Sequence, residues 1–323
     1  MASGSVGTVP RPRSSRLPAD LLGRIKAARR HSVIAVCEQC FVVMCAGFIT
    51  GAGFVLVSGG ALGGLWGSSK AEVLGLVVLA IGCLFGLIYL PWLVYVVLRH
   101  HKLVLRRLRA RDPSVFEESR LAHVVEELAM AAGIATPALA VIDERAPNGF
   151  VVGSKHGPEI VVTTGLLEIL EREELQAAVG HLIGRAIGGD LRYESLLAGN
   201  LAALGLAMES AFTALAALPC YGIANLQTRW ISEERVILAD HVGVTLSRDP
   251  RALAVALEKI YRDPNETSDL PEELALLSFV DPRYPTTMTG PPELRVRPWS
   301  GDKGTWLHPP LAERVERLHS LYA

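Results

Sequence analysis

The chain has 323 residues, half of them hydrophobic, and a positive mean hydropathy. Its formal net charge of -1 gives no reason to expect binding to nucleic acid or to another polyanion. The five cysteines are too few for a disulfide framework, and the Cys37 and Cys40 pair enters an apolar run, so we interpret these cysteines as small apolar residues at a membrane boundary.

Two long apolar runs follow a basic N-terminal arm, residues 1–32, which we predict to be disordered. Residues 41–66 and 73–98 contain no charged side chain. At about 1.5 Å per residue, each run is long enough to cross a hydrocarbon core of roughly 30 Å. Because only six residues connect them, we predict a transmembrane helical hairpin within residues 33–98.

The flanking charges orient this hairpin. Seven basic residues precede the first run between residues 11 and 30, and six follow the second between residues 99 and 111, whereas the connector offers only Lys70 beside Glu72. The positive-inside rule then places both termini and the main domain, residues 99–323, in the cytoplasm. We expect the lipid bilayer to be a partner, and a bacterial inner membrane to be the location.

A third apolar stretch, residues 196–218, contains Asn200 and Glu209 and precedes Pro219. A single crossing here would place the last hundred or so residues outside the cytoplasm, apart from the segments with which they are expected to pair. We therefore interpret it as a buried or membrane-surface helix.

The order of predicted helices and strands in the main domain indicates an α+β fold. Apolar residues recur at helical spacing over residues 113–132, and Gly133 ends that helix. Residues 281–304 are rich in Pro and Gly and are expected to be irregular. The other predicted elements are strands at 138–142, 150–152 and 159–162, and helices from 164 or 165, over 172–188, 232–246, 250–261 and 310–322.

Several runs of the main domain resemble, in order, the HtpX-type membrane zinc metallopeptidases, which are relatives of the CAAX prenyl proteases. The resemblance implies a gluzincin-like domain beside the membrane. The matching runs are Glu127–Ile134, Ala146–Phe150, Val162–Leu175 leading to His181, Leu238–Asp240, Arg248–Ile260 and His308–Leu318.

The family needs an H-E-x-x-H motif, in which two His bind zinc and the Glu is the general base for a zinc-bound water. A third ligand, a Glu, stands four residues before the Asp of an Ala-Asp pair. Here the motif reads His-Leu-Ile-Gly-Arg, so only His181 remains. Leu182 takes the general-base position, and Arg185 and Val236 take the positions of the other two ligands.

These replacements predict a catalytically inactive protein, a pseudoprotease with no catalytic residue and no expected cofactor. Arg cannot lose its proton to bind zinc, and Leu cannot accept one. We considered a rewired metal site of His181 with Glu233, Asp240 or His241, but nothing in the spacing brings three of them together. The alternative is an active zinc metalloendopeptidase with an atypical site.

If Arg185 points to the former zinc position, its guanidinium could replace the metal's structural role by pairing with Asp240 or Glu233. Asp190 is a second candidate partner, although its five-residue offset on one helix is less favourable.

The family's cleft has an edge strand at which an extended peptide can bind by strand addition. We predict that this edge strand is Glu159, Ile160, Val161 and Val162. The expected function is then binding, scaffolding or regulation of a membrane protein or peptide partner, in the quality control of membrane proteins. Nucleic acid is not an expected partner.

Overall fold

The structure is a computed structural model that describes residues 80, 91–92, 94–188, 191–209, 221, 228, 234–263, 270–282, 308–309 and 311–320. The basic arm and almost all of both predicted spans lie outside these residues. The C-terminal end of the second span belongs to helix α1, residues 94–107. Among the described residues, no helix is long and apolar enough to cross a bilayer.

Helix α2, Val115–Ala132, confirms the helix predicted from residue 113. It begins with a capping box, in which the Ser114 side chain accepts from the Glu117 amide and Glu117 accepts from the Ser114 amide. It ends at Gly133, whose positive φ of 68° is the left-handed conformation that glycine adopts at low cost.

A three-stranded sheet follows, made of β1 (Ala138–Ile142), β2 (Gly149–Ser154) and β3 (Gly157–Thr163). The strand order is β1-β3-β2, with β3 parallel to β1 and antiparallel to β2. The tight turn before Gly157 pairs β2 with β3, and β3 then also pairs with β1.

The prediction that Glu159, Ile160, Val161 and Val162 form an edge strand is therefore wrong. These residues lie in β3, which has a partner strand on both sides. The last three are fully buried, and Glu159 bonds through its carboxylate to the His101 imidazole of α1 at 2.5 Å. The edges of the sheet belong to β1 and β2.

The rest of the described chain is helical, which confirms an α+β domain, and the predicted helices occur within a few residues of their expected bounds. A 3-10 helix was not predicted. The elements are α3 (Thr164–Ile169), α4 (Arg172–Ile187), α5 (Leu191–Met208), α6 (Glu234–Ser247), α7 (Pro250–Arg262), the 3-10 helix (Glu272–Leu277) and α8 (Leu311–Ser320).

Helix α5 packs against α1, β2 and the 3-10 helix in one part of the core, where Leu197 and Leu201 are fully buried. The third apolar stretch is thus helical as far as Met208 and buried as far as Leu204. Its remainder, residues 210–218, lies outside the described residues. A second part of the core joins α2, α4, α7 and α8.

Helices α4 and α6 approach each other closely because glycines line their contact. A Cβ on Gly184 would lie 2.8 Å from the Ala239 carbonyl oxygen, and a Cβ on Gly243 would lie 2.7 Å from the His181 amide nitrogen. This packing holds the His181–Arg185 turn inside the domain, where His181, Leu182 and Arg185 are all buried.

Candidate functional site

His181 is held by a carboxylate from the neighbouring helix. Its Nδ1 lies 2.7 Å from Oδ1 of Asp240 on α6. Arg314 of α8 donates to the same carboxylate from Nε at 2.9 Å and from Nη2 at 2.7 Å. The three side chains tie α4, α6 and α8 together in the interior.

Electrostatics fix the protonation of this trio. Burial would raise the pKa of Asp240, but the charge of Arg314 and the contact with His181 outweigh it and keep that pKa well below its usual range. Burial lowers the pKa of His181 to about 4, although Asp240 opposes the shift. At neutral pH Asp240 is therefore ionised and His181 is neutral.

An ionised Asp240 can only accept, so His181 carries its proton on Nδ1 and donates it. Nε2 then has a free lone pair, and within the described part of the chain this buried atom has no hydrogen-bond partner. A histidine that binds a metal through one nitrogen commonly donates its other N–H to a carboxylate. His181 keeps that orientation.

Arg185, one turn further along α4, has different partners. Its Nη2 donates to Glu194 of α5 at 2.6 Å and to the Leu276 carbonyl at 2.5 Å, and Nη1 donates to the Ser278 carbonyl at 3.2 Å. Arg235 of α6 also forms an ion pair with Glu194. Burial would raise the pKa of Glu194, but the charges of Arg185 and Arg235 outweigh it and lower that pKa.

The predicted pairing of Arg185 with Asp240 is therefore wrong. Arg314 satisfies Asp240, and Arg185 reaches Glu194 because α5 begins only a few residues after α4 ends and brings its first turn back to α4. The other two predicted partners, Asp190 and Glu233, lie outside the described residues.

The remaining positions of the family motif are filled by apolar packing. Leu182 is fully buried against β2: a Cβ on Gly149 would lie 3.0 Å from its Cδ1 atom. Val236 is fully buried on α6. Neither side chain offers an atom that can bind a metal or accept a proton.

Within the described ranges, the donor set does not fit a zinc ion. A zinc site of this kind needs three protein ligands, and the one free lone pair found in these ranges of the site, on His181, stands one helical turn from a buried guanidinium. No group of three metal-binding side chains occurs among the described residues. His241, considered for a rewired site, is exposed on α6.

Sequence reasoning missed four features of the site: Glu194, Arg235, Arg314 and the buried segment after the 3-10 helix. Arg314 stands inside the matching run that begins at His308, but the run itself indicated no role for it.

His308 is buried and donates from Nε2 to the Ser278 carbonyl at 2.9 Å. Burial lowers the pKa of His308 to about 3, although nearby Asp281 opposes the shift.

A mostly helical domain with a small three-stranded sheet fits an α+β metallopeptidase domain. Residues 116–322 match the family described as peptidase family M48, and the chain belongs to this family.

Relatives bear the name Protease HtpX homolog. That of Streptococcus gordonii is 28% identical over 305 residues, which cover 85% of this chain and 95% of that protein. That of Dictyoglomus thermophilum is 30% identical over 244 residues, covering 68% of this chain and 75% of that protein. No solved structure gives a significant match.

Proposed function

We propose that this chain is a non-catalytic member of its family, a pseudoprotease that acts by binding or regulating other proteins. The observation that carries the proposal is the state of Arg185. Its guanidinium is buried in an ion pair with Glu194 and bonded to two backbone carbonyls, at the position where the family needs a second zinc ligand.

The chemistry of hydrolysis supports the same conclusion. A metallopeptidase activates water with a metal and a general base, and Leu182 cannot accept a proton at any pH. His181 alone could only be a residual ligand. We therefore expect neither a bound zinc ion nor peptidase activity, and we interpret the two buried ion-pair systems as the structural replacement for a metal.

The cellular setting that we propose rests on the sequence. Residues 33–98 would anchor the chain in a bacterial inner membrane as a helical hairpin, with residues 99–323 in the cytoplasm. A membrane protein or an extended peptide is the expected partner, in the quality control of membrane proteins.

The test is the metal content of the full chain, purified in detergent without chelators or a His-tag. A variant with Leu182→Glu, Arg185→His and Val236→Glu is measured beside it, in which Glu194 keeps Arg235 as a cationic partner. We expect no zinc in the native chain and zinc in the variant. About one tightly bound zinc per native chain would sink the proposal.

One observation favours the alternative of an active peptidase: His181 keeps its Nδ1–H on a carboxylate and a free lone pair on Nε2, as a zinc ligand does. If this alternative holds, the native chain will cleave an unfolded protein such as casein, and both phenanthroline and His181→Ala will abolish the cleavage. A contaminating protease would be unaffected by His181→Ala.

A further inference from the structure

The outer edge of β2 is already occupied by the chain itself. Ser278 lies opposite Phe150 in an antiparallel bridge, and the Phe279 amide donates to the Gly149 carbonyl at 2.7 Å. The Asn148 side chain pairs with the backbone of Val280, donating to its carbonyl at 2.8 Å and accepting from its amide at 3.2 Å. A peptide that adds a strand to a sheet uses the same kind of main-chain contacts.

Side chains of the site hold the backbone of this segment, residues 278–280, which we name the internal strand, together with the end of the 3-10 helix that leads into it. Arg185 donates to the carbonyls of Leu276 and Ser278. His308 donates to the Ser278 carbonyl at 2.9 Å, and Arg314 donates to the Phe279 carbonyl at 3.0 Å. Hydrogen bonds from a charged donor are stronger than neutral ones, so the two arginines are the main clamps.

The internal strand also fills the space beside His181. The ring of Phe279 lies 4.9 Å from the His181 ring, and the Arg314 guanidinium lies 5.3 Å from the centre of the Phe279 ring. Residues 276–279 are fully buried. At the other end of β2, the Gly153 amide donates to the Ser195 hydroxyl of α5 at 2.7 Å. The chain therefore covers the edge of β2 at both ends.

We propose that the internal strand is a built-in peptide ligand of the β2 edge, held there chiefly by Arg185. The replacement that removes a zinc ligand would thus also close the cleft. An extended peptide of the same chemistry, with an aromatic residue for the His181–Arg314 contact, binds this edge only when the clamp is released. The proposal deepens the proposed function, on which it rests for the use of the cleft in binding rather than cleavage.

The test removes one buried cation and one buried anion of the Arg185–Glu194–Arg235 cluster together, so the net charge of the cluster is unchanged. Arg185→Gln is combined with Glu194→Gln in the full chain. The matched control is Arg120→Gln, which removes another arginine that donates to a backbone carbonyl, that of Leu170 at 2.5 Å, in a different part of the core.

Two readouts are measured on the native chain and both variants: hydrogen–deuterium exchange of residues 274–282, and fluorescence anisotropy of a labelled peptide with the sequence of those residues. In the native chain and in Arg120→Gln we expect slow exchange and no peptide binding. In Arg185→Gln with Glu194→Gln we expect exchange of this segment to rise about tenfold or more, with helix α2 unchanged, and the peptide to bind.

The proposal is overturned if residues 274–282 exchange rapidly in the native chain, or if the released variant shows faster exchange and still binds no peptide. It is equally overturned if the double variant folds and keeps the native exchange rate. These outcomes are independent of zinc content, so a failure here is distinguishable from a failure of the pseudoprotease proposal.

Discussion

His181 and His308 are buried in their neutral forms, and this has a direct consequence for stability. Their pKa values are lowered to about 4 and about 3 by burial, while an unfolded histidine titrates near 6.5. Between those values the unfolded chain binds more protons than the folded chain. The free energy of unfolding therefore falls as the pH drops through this range.

We expect the melting temperature of the domain to decrease steadily from pH 7 to pH 5. At about 1.4 kcal/mol per pKa unit, the full titration would cost about 3 kcal/mol for His181 and about 5 kcal/mol for His308. His308→Gln should flatten the dependence, whereas His241→Gln, at an exposed position, should leave it unchanged. Equal slopes in the native chain and in His308→Gln would show that His308 is not buried neutral.

Asp240 is the acceptor for both His181 and Arg314, so its removal isolates a buried cation. Asp240→Asn should destabilise the domain by about 3–5 kcal/mol, because Arg314 would keep its charge without a carboxylate. The control is Asp143→Asn, an exposed partner of Arg111, which should cost about 0–1 kcal/mol. The measurement is chemical unfolding followed by tryptophan fluorescence, and equal costs for the two variants would contradict the assigned role.

At the scale of elements, the contact between α4 and α6 depends on glycine. Gly184→Ala would normally favour a helix by about 1 kcal/mol. Here the added methyl group would lie 2.8 Å from the Ala239 carbonyl oxygen, so the helices must separate. We expect a net loss of stability of about 1–3 kcal/mol in thermal melts.

Gly188→Ala is the matched control, because the nearest atom to its added Cβ lies 3.4 Å away. It should change the stability by less than about 0.5 kcal/mol. A Gly184→Ala variant as stable as this control would mean that the helices are less closely packed than described.

The elements also show what the sequence could and could not predict. Helices such as α2 and α7 follow from local signals, namely apolar spacing, a glycine at the C-terminal end and an Asp-Pro start, so their bounds were predicted within about two residues. The strands themselves were predicted as well. Their order was not, because the second partner of β3 is set by packing between distant segments.

The candidate site, too, could be predicted from the sequence only in part. The sequence could predict a loss of the ligand set because each replacement has a fixed position in the motif of the family that the chain resembles. The partner of Arg185 was not readable, because Glu194 comes from the next helix and its approach depends on the turn between α4 and α5. The internal strand escaped prediction because a short buried apolar segment carries no periodicity of its own.

At the scale of the whole molecule, two buried ion-pair systems connect the helices around His181 and Arg185. One joins α4, α6 and α8 through Asp240, and the other joins α4, α5 and α6 through Glu194. Buried ion pairs are weak evidence for stability, but breaking one is costly. The domain thus has a polar centre that connects helices α4, α5, α6 and α8.

The proposed topology predicts that the domain lies on the side of the membrane that carries the basic flanks of the hairpin. A green fluorescent protein fused after Ala323 should fluoresce in a bacterial host, and alkaline phosphatase fused there should be inactive, since the phosphatase folds only after export. Alkaline phosphatase fused at Lys70, in the connector between the predicted spans, should be active. An active phosphatase after Ala323 would place the domain outside the cytoplasm and contradict the proposed orientation.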